Sequence, residues 1–593
     1  MSSDTGVYAH QAPPCPAAPR AVMWSTVGVV TLVCALAMTF GWLIDVRVIR
    51  ANLPVSWDEA AHSLFGLAIA QDLRNGDLLS LAYDTYRQVY WPPMHSWLVG
   101  AAFVAFGDGI AVARGVSLVA YGLIPVALLA TGRAMYAPDD RLRGWVAGGV
   151  AGVLAVATPA FIPFASRALL ELPALLAVVL TLWAAFVAER ARHRPMRRML
   201  VAAGILATFF LKTNHGILLM VMFAIDALID ARFSPRRLLS RSNAYLVVPV
   251  VVVLAVWFAY PPKLVSTFRA MVNRQLDVSP WTIDGVLYYP RTLPGFAGSR
   301  AMLGVLLAGV AGAWPLRRSP NVRLLLVLAA VQFALGELHQ TKEHRHILPI
   351  VPALVLLTAA TAARVAQAAR VPGGTWARRA AVALGVAGTG LMAAQLSMLV
   401  RRPFPGAWDG LPSPPGPAHR ALVESVETAA DGGKHVLVVG TFDQPPNAPI
   451  IDWELAAERG LLTVPHAGAI AAVDRDRDVA AALRRAPLPR WLTGPVIRVL
   501  ARSDAPARVR TTYAGLPERT SPQAFAGSFA ETLRRGRADW VIVATSLSDG
   551  AEYPVTYLAP ALAHTALTVV SSRVVEDEPP VRLDEYRVDK ARR

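Results

Sequence analysis

Cysteine is nearly absent: two of 593 residues are Cys, Cys15 in the leading tail and Cys34 inside the first apolar run, so no structural disulfide is expected. Charge is scarce as well. Only 17% of residues are ionic, where soluble chains carry about 25%, while 54% are hydrophobic and the mean hydropathy is +0.41. That balance excludes a soluble globular protein and predicts a polytopic membrane protein. Acids are outnumbered, 41 Asp and Glu against 58 Lys and Arg, which gives a formal charge of +17 and a pI near 10.3. The basic surplus falls in short clusters between apolar runs rather than in one patch, so nucleic acid is not the expected partner. Zincin, P-loop and nucleophile-elbow motifs are missing, and so are internal repeats.

What is present is a series of apolar runs. Residues 1–20, rich in Pro and Ala, read as a disordered cytoplasmic tail. The run Ala21 to Ile44 is longer than a signal-peptide core and reads as a retained first span. Further candidate spans are Ile110 to Met135, Trp145 to Phe161, Ala168 to Ala188, Met199 to Leu211, Gly216 to Asp230, Asn243 to Tyr260, Arg300 to Trp314, Leu324 to Leu338, Ile347 to Ala363 and Ala380 to Val400. The total is about eleven. Glu59 to Leu73 and Met94 to Phe106 are too short to cross and predict juxtamembrane helices.

Alternate loops are strongly basic, around 141–143, 190–198, 232–241, 317–323 and 364–379, and the positive-inside rule assigns them to the cytoplasm. Parity then turns the Asp58 loop, 163–167, 212–214, 260–299, 338–346 and everything after Val400 outward. Beyond residue 400 the pattern changes to Pro-rich punctuation and then to globular alternation. His435 to Gly440 and Trp540 to Thr545 predict buried strands, Thr568 to Val575 and Val581 to Val588 edge strands, and Pro417 to Ala430 and Glu454 to Arg459 helices. The expected division is therefore a tail (1–20), a transmembrane domain (21–400) and an extracytoplasmic soluble α/β domain (401–593).

Acidic side chains beside a bilayer are costly to dehydrate, which marks Asp58 and Glu59, just past the first span, as site candidates. A carboxylate there can take the proton of an attacking hydroxyl or hold a metal; equally, Asp58 can cap a helix starting at Glu59. His62, four residues on, shares a helical face with Asp58, so the two are the candidate ligands for a divalent metal, whose identity and presence stay unknown. A second cluster, His339 to His346, carries Lys342, Arg345 and His346 on the outer side, where topology does not ask for positive charge. Such cations can hold a lipid phosphate or serve as interfacial anchors. Lys212 lies at an outer turn and can add a phosphate contact. Arg167 and Glu171 stand four residues apart at a helix start, as an ion pair or as part of the same site.

Trp57-Asp58-Glu59-Ala60, then Tyr90-Trp91-Pro92-Pro93-Met94-His95, Ser166-Arg167 with Glu171-Leu172-Pro173, Leu211-Lys212-Thr213-Asn214 and Arg345-His346-Ile347-Leu348-Pro349 occur in an order that resembles GT-C glycosyltransferases. The similarity is to bacterial relatives of protein O-mannosyltransferases and of the lipid A aminoarabinose transferase, the family 39/83 type. It covers about Met23 to Val400. The chain has Glu171 where Asp is commoner in that group, and Thr213-Asn214 where Gly-Pro is commoner. The resemblance implies a GT-C membrane fold in the inner (plasma) membrane, a polyprenyl-phosphate-linked sugar donor, an extracytoplasmic glycan, lipid or protein acceptor, and inverting transfer. It implies Asp58 as catalytic base or site organiser and donor-phosphate contacts from Lys342 and Arg345, and it brings Tyr90 into the set of site residues. A multi-span lipid or polysaccharide transporter is the alternative, against which stands the gathering of acids and bases at one surface.

Overall fold

A computed structural model describes residues 20–50, 54–88, 91–136, 140–189, 195–259, 281–339, 342–370, 375–401, 416–441, 448–462, 489–500, 508–514, 538–547, 567–577 and 580–589, with scattered positions between 263 and 279 and between 480 and 533. Residues 1–19 of the expected tail, with Cys15, and Tyr90 lie outside the described residues, and Arg20 already begins the first helix.

Each of the eleven apolar runs is helical, as are both juxtamembrane segments, Trp57–Asn75 and Pro93–Phe106. Among the described residues six helices are long and apolar enough to cross a membrane alone: Val27–Ile44, Ile110–Ala134, Glu171–Ala188, Thr213–Asp230, Pro320–Leu338 and Ile350–Ala368. The number rises to eight if two bent pairs each count as one span, Arg141–Ala157 with Pro159–Ala165 and Ile283–Ala297 with Arg300–Leu316. Other apolar runs form somewhat shorter helices, Pro195–Leu211 and Arg241–Trp257 having 17 residues each. Small residues let the spans pack closely: a Cβ on Gly132 would stand 2.8 Å from the Ala147 carbonyl oxygen, and one on Gly148 2.7 Å from that of Leu129.

The two juxtamembrane helices cross in the same way. A Cβ on Gly66 would lie 2.4 Å from Val99 Cγ1, and one on Gly100 2.7 Å from Ile69 Cγ2. This crossing fixes the direction of Trp57–Asn75, which carries Asp58 at its start. The helix stops at Gly76, whose φ of 65° only glycine adopts without strain.

Among the described residues the C-terminal part forms a five-stranded sheet. Its strands are β1 (Val436–Thr441), β2 (Val509–Ala514), β3 (Trp540–Ser546), β4 (Leu567–Val575) and β5 (Val581–Val588), in the order β2-β1-β3-β5-β4. β1 is parallel to β2 and β3, while β5 is antiparallel to β3 and β4. β1 and β3 are buried on alternating faces, as their unbroken apolar runs predict: Val436, Val438, Ile542 and Ala544 pack with Leu422 and Val426 of helix Pro417–Asp431, and Leu437, Val439, Val541 and Val543 pack with Phe529 and Leu533. The expectation that β5 is an edge strand is corrected. Its alternating charges imitate an edge, but Asp584 is buried between the Ser572 hydroxyl (2.6 Å) and Arg582 (3.0 Å), so β5 lies inside the sheet and β2 and β4 form the edges.

The two parts meet through Trp453 at the end of helix Ala448–Trp453. Its ring lies 6.1 Å from that of Phe103, and it is buried in one cluster with Ala60, Leu64 and Leu67 of the Asp58 helix.

Candidate functional site

The Asp58 helix begins two residues earlier than its sequence suggests. Trp57 is its first residue and Ser56 its N-cap, so Asp58 is not the cap. Capping falls instead to Glu59, whose Oε2 accepts from the Ser56 backbone N–H and hydroxyl, each at 3.0 Å. Glu59 Oε1 also accepts from Arg114 Nε (2.9 Å) and from the Ala168 N–H (3.0 Å). With both Glu59 and Arg114 buried, this ion pair faces no solvent. Glu59, expected with Asp58 as a catalytic carboxylate, does not line the cavity beside Asp58 and instead fastens the start of the helix that carries Asp58.

Asp58 faces a cavity of about 270 Å³. Segments far apart in the chain supply its wall: Asp58 and His62, Trp91 and Pro92, Leu170 and Glu171, Lys212 to Asn214, Thr267, and His339, Arg345 and His346. These are the loops that parity places on one side. Arg345 Nη1 donates to Asp58 Oδ2 at 2.5 Å, and Glu343 pairs with the same guanidinium from behind. Burial alone would lower the Arg345 pKa, but Asp58, Glu171 and Glu343 together raise it well above the ordinary value, so the group stays cationic. Lys212 Nζ donates to Glu171 Oε1 at 2.7 Å. The cavity therefore holds two carboxylates and two cations in two short pairs.

His62 is packed edge-on against Trp91 (4.9 Å) and His95 (5.1 Å). Burial pushes both imidazoles down to about 3, so they are neutral near pH 7. His95, reached only as part of a motif in sequence, closes the floor behind His62.

The sequence expectation brings together six residues that do line this cavity: Asp58, His62, Glu171, Lys212, Arg345 and His346. Lys342 is not among them. Its Nζ donates to Glu337 Oε2 (2.9 Å) and to the Glu337 carbonyl (2.6 Å), and lies 5.1 Å from the centre of the Tyr289 ring. A buried ammonium needs acceptors, and Glu337 supplies them on the far side of the turn. Arg167 is half-buried and likewise does not line the cavity. Arg114 was missed by sequence reading, although an arginine near the start of an otherwise apolar span is the signal that finds it.

No protein-family model and no curated protein matches the chain. Solved structures do. The chain is similar to ArnT from Cupriavidus metallidurans in the apo state, at 16% identity over 94% of this chain and 98% of that one, with a TM-score of 0.44. It is also similar to the same protein bound to undecaprenyl phosphate, at 16% identity over 96% and 98% with a TM-score of 0.43. A third is the Archaeoglobus fulgidus oligosaccharyltransferase in complex with Zn and sulfate, at 12% identity over 87% of this chain and 67% of that one, with a TM-score of 0.46.

The suggested metal pair, Asp58 and His62, lines the cavity but does not by itself make a zinc site. Among the described residues no group of three His, Cys, Asp or Glu side chains is placed to hold one. Asp58 is already bonded to a guanidinium, and the remaining donor set falls short of the three protein ligands a catalytic zinc takes.

Proposed function

We propose that the chain is an integral-membrane glycosyltransferase that moves a sugar from a polyprenyl-phosphate donor to an extracytoplasmic hydroxyl with inversion, and that Asp58 takes the hydroxyl proton. The carrying observation is the Asp58–Arg345 pair in an open cavity beside Lys212. A carboxylate that accepts a proton and a cation that receives departing phosphate are the two groups this reaction needs, and here they stand in contact.

The reading gives each pair one event. An arriving phosphodiester competes with Asp58 for Arg345, because guanidinium binds phosphate through the same fork it offers carboxylate. That exchange releases Asp58 Oδ2 toward the acceptor. The acceptor oxygen then attacks the anomeric carbon as the carbon–phosphate-oxygen bond breaks. Asp58 receives the proton, and the electron pair leaves with the carrier phosphate, whose added charge is met by Arg345 and Lys212. Neutral His62 and the Trp91 ring line the cavity beside Asp58, where they limit water. Outward sidedness rests on the basic loops clustering at the opposite end of the bundle.

The test is sugar transfer by Asp58→Asn from labelled polyprenyl-phosphate sugars, undecaprenyl phosphate being the first carrier to try. Turnover is expected to fall by at least about 10²-fold with normal yield of folded protein, since Arg345 keeps Glu343 as a partner. Turnover equal to wild type would remove Asp58 from the chemistry.

A further inference from the structure

A second cavity lies at the other end of the bundle and owes nothing to the Asp58 site. It is larger, about 470 Å³, and opens between the helices Glu171–Glu189, Pro195–Leu211, Thr213–Asp230, Arg241–Trp257 and Pro320–Leu338. Its charged wall consists of Arg198, Asp226, Asp230, Arg237 and Arg323. Arg323 Nε donates to Asp226 Oδ1 at 2.7 Å and its Nη2 to Asp230 Oδ1 at 3.3 Å, so both carboxylates lean on one guanidinium. Three arginines against two aspartates give these lining residues one net positive charge, with Arg198 and Arg237 on two other elements.

The rim is built for a membrane surface. Arg232 and Phe233 both adopt left-handed backbone, with φ of 50° and 59°, a conformation that non-glycine residues take at a cost. This turn and the short helix Pro235–Leu238 leave Phe233 (72%) and Leu239 (85%) exposed beside the exposed Arg232, Arg236 and Arg237. Apolar side chains next to guanidinium groups, around a polar cavity between spanning helices, match a ligand with a phosphate head and acyl chains. A soluble phosphate would use the arginines and leave Phe233 and Leu239 without purpose.

We propose that this cavity binds the headgroup of an anionic glycerophospholipid. Arg198 and Arg237 take its phosphodiester, whose single negative charge matches the wall. Asp230, exposed at the mouth, accepts from headgroup hydroxyls.

The experiment is native mass spectrometry of the full chain released from detergent with phosphatidylglycerol, phosphatidylcholine or glycerol 3-phosphate. Phosphatidylglycerol should be retained over phosphatidylcholine, and Arg198→Gln with Arg237→Gln should reduce that retention about thirtyfold, or about fivefold for Arg237→Gln alone. Because Arg237 is exposed, the single variant carries the test if the double variant unfolds at a lower temperature in lipid-free detergent. Equal retention of both lipids, or unchanged retention in Arg237→Gln, overturns the proposal. Displacement of phosphatidylglycerol by millimolar glycerol 3-phosphate overturns it too, by making the site one for soluble phosphate.

Discussion

Glu59 and Asp58 are adjacent and chemically alike, yet one is locked and the other open. The difference is the partner each meets: Glu59 is shut in with Arg114, and Asp58 meets Arg345 at a cavity wall. Removing one member of a dry ion pair leaves the other charge uncompensated, so Glu59→Gln should cost about 3–5 kcal/mol, read as a lowered unfolding temperature in detergent. Asp58→Asn should leave that temperature near wild type. His62 and His95 add a pH term. In the fold they bind a proton only near pH 3, whereas unfolded imidazole does so near 6.5, so between those values the unfolded chain holds more protons. Stability from these groups is full above about pH 6.5 and declines as pH falls toward about 3, by about 1.4 kcal/mol per pH unit for each histidine. His95→Leu should flatten the acid limb of a stability–pH curve by about one proton, and an unchanged limb would count against the neutral assignment. Sequence reading reached Asp58, Arg345, Lys212 and Glu171 because charge beside a bilayer is rare enough to stand out. It could not tell Lys342 from Lys212, since which ammonium faces a cleft depends on the Glu337 acceptor across a turn.

At the scale of elements, the helices were legible from apolar runs and their ends were not. Hydropathy carries no record of the bend after Ala157 or of the capping box at Ser56, so neither the broken span nor the helix start at Trp57 was read from the sequence. β5 escaped for a similar reason, its charges being satisfied within the sheet rather than by solvent. The helix pair Pro195–Leu211 and Thr213–Asp230, which presents Lys212 at its hinge, was foreseen as two helices with a tight turn. Its tightness depends on Gly216: a Cβ there would come within 2.4 Å of Phe209 Cα, a backbone atom that cannot step aside. Gly216→Ala should therefore destabilise by about 1–3 kcal/mol and also lower transfer by moving Lys212 off Glu171. Thermal unfolding and turnover measured on the same preparation would check both. Intact turnover in a destabilised variant would show that the hinge does not set the Lys212 position.

Across the whole molecule, the sheet part touches the helical part at the element that carries Asp58. Trp453 fills a dry space between Phe103 and the Trp57–Asn75 helix, although sequence gave only a strand-and-helix pattern for this region and no hint of where it docks. Trp453→Ala should cost about 3–5 kcal/mol of local stability and open the Ala448–Trp453 helix to limited proteolysis. Cleavage no faster than in wild type would mean that the parts are joined elsewhere.

The bonds of Glu59 also impose a timetable. Its partners Arg114 and Ala168 lie 55 and 109 residues downstream. At about 5–20 residues per second, a growing chain leaves that carboxylate without its full set of donors for about 5–20 seconds after it emerges. The helix that carries Asp58 is therefore fastened only once the chain has grown past Ala168, and a nascent chain arrested short of that residue would carry Asp58 on a helix that is not yet anchored.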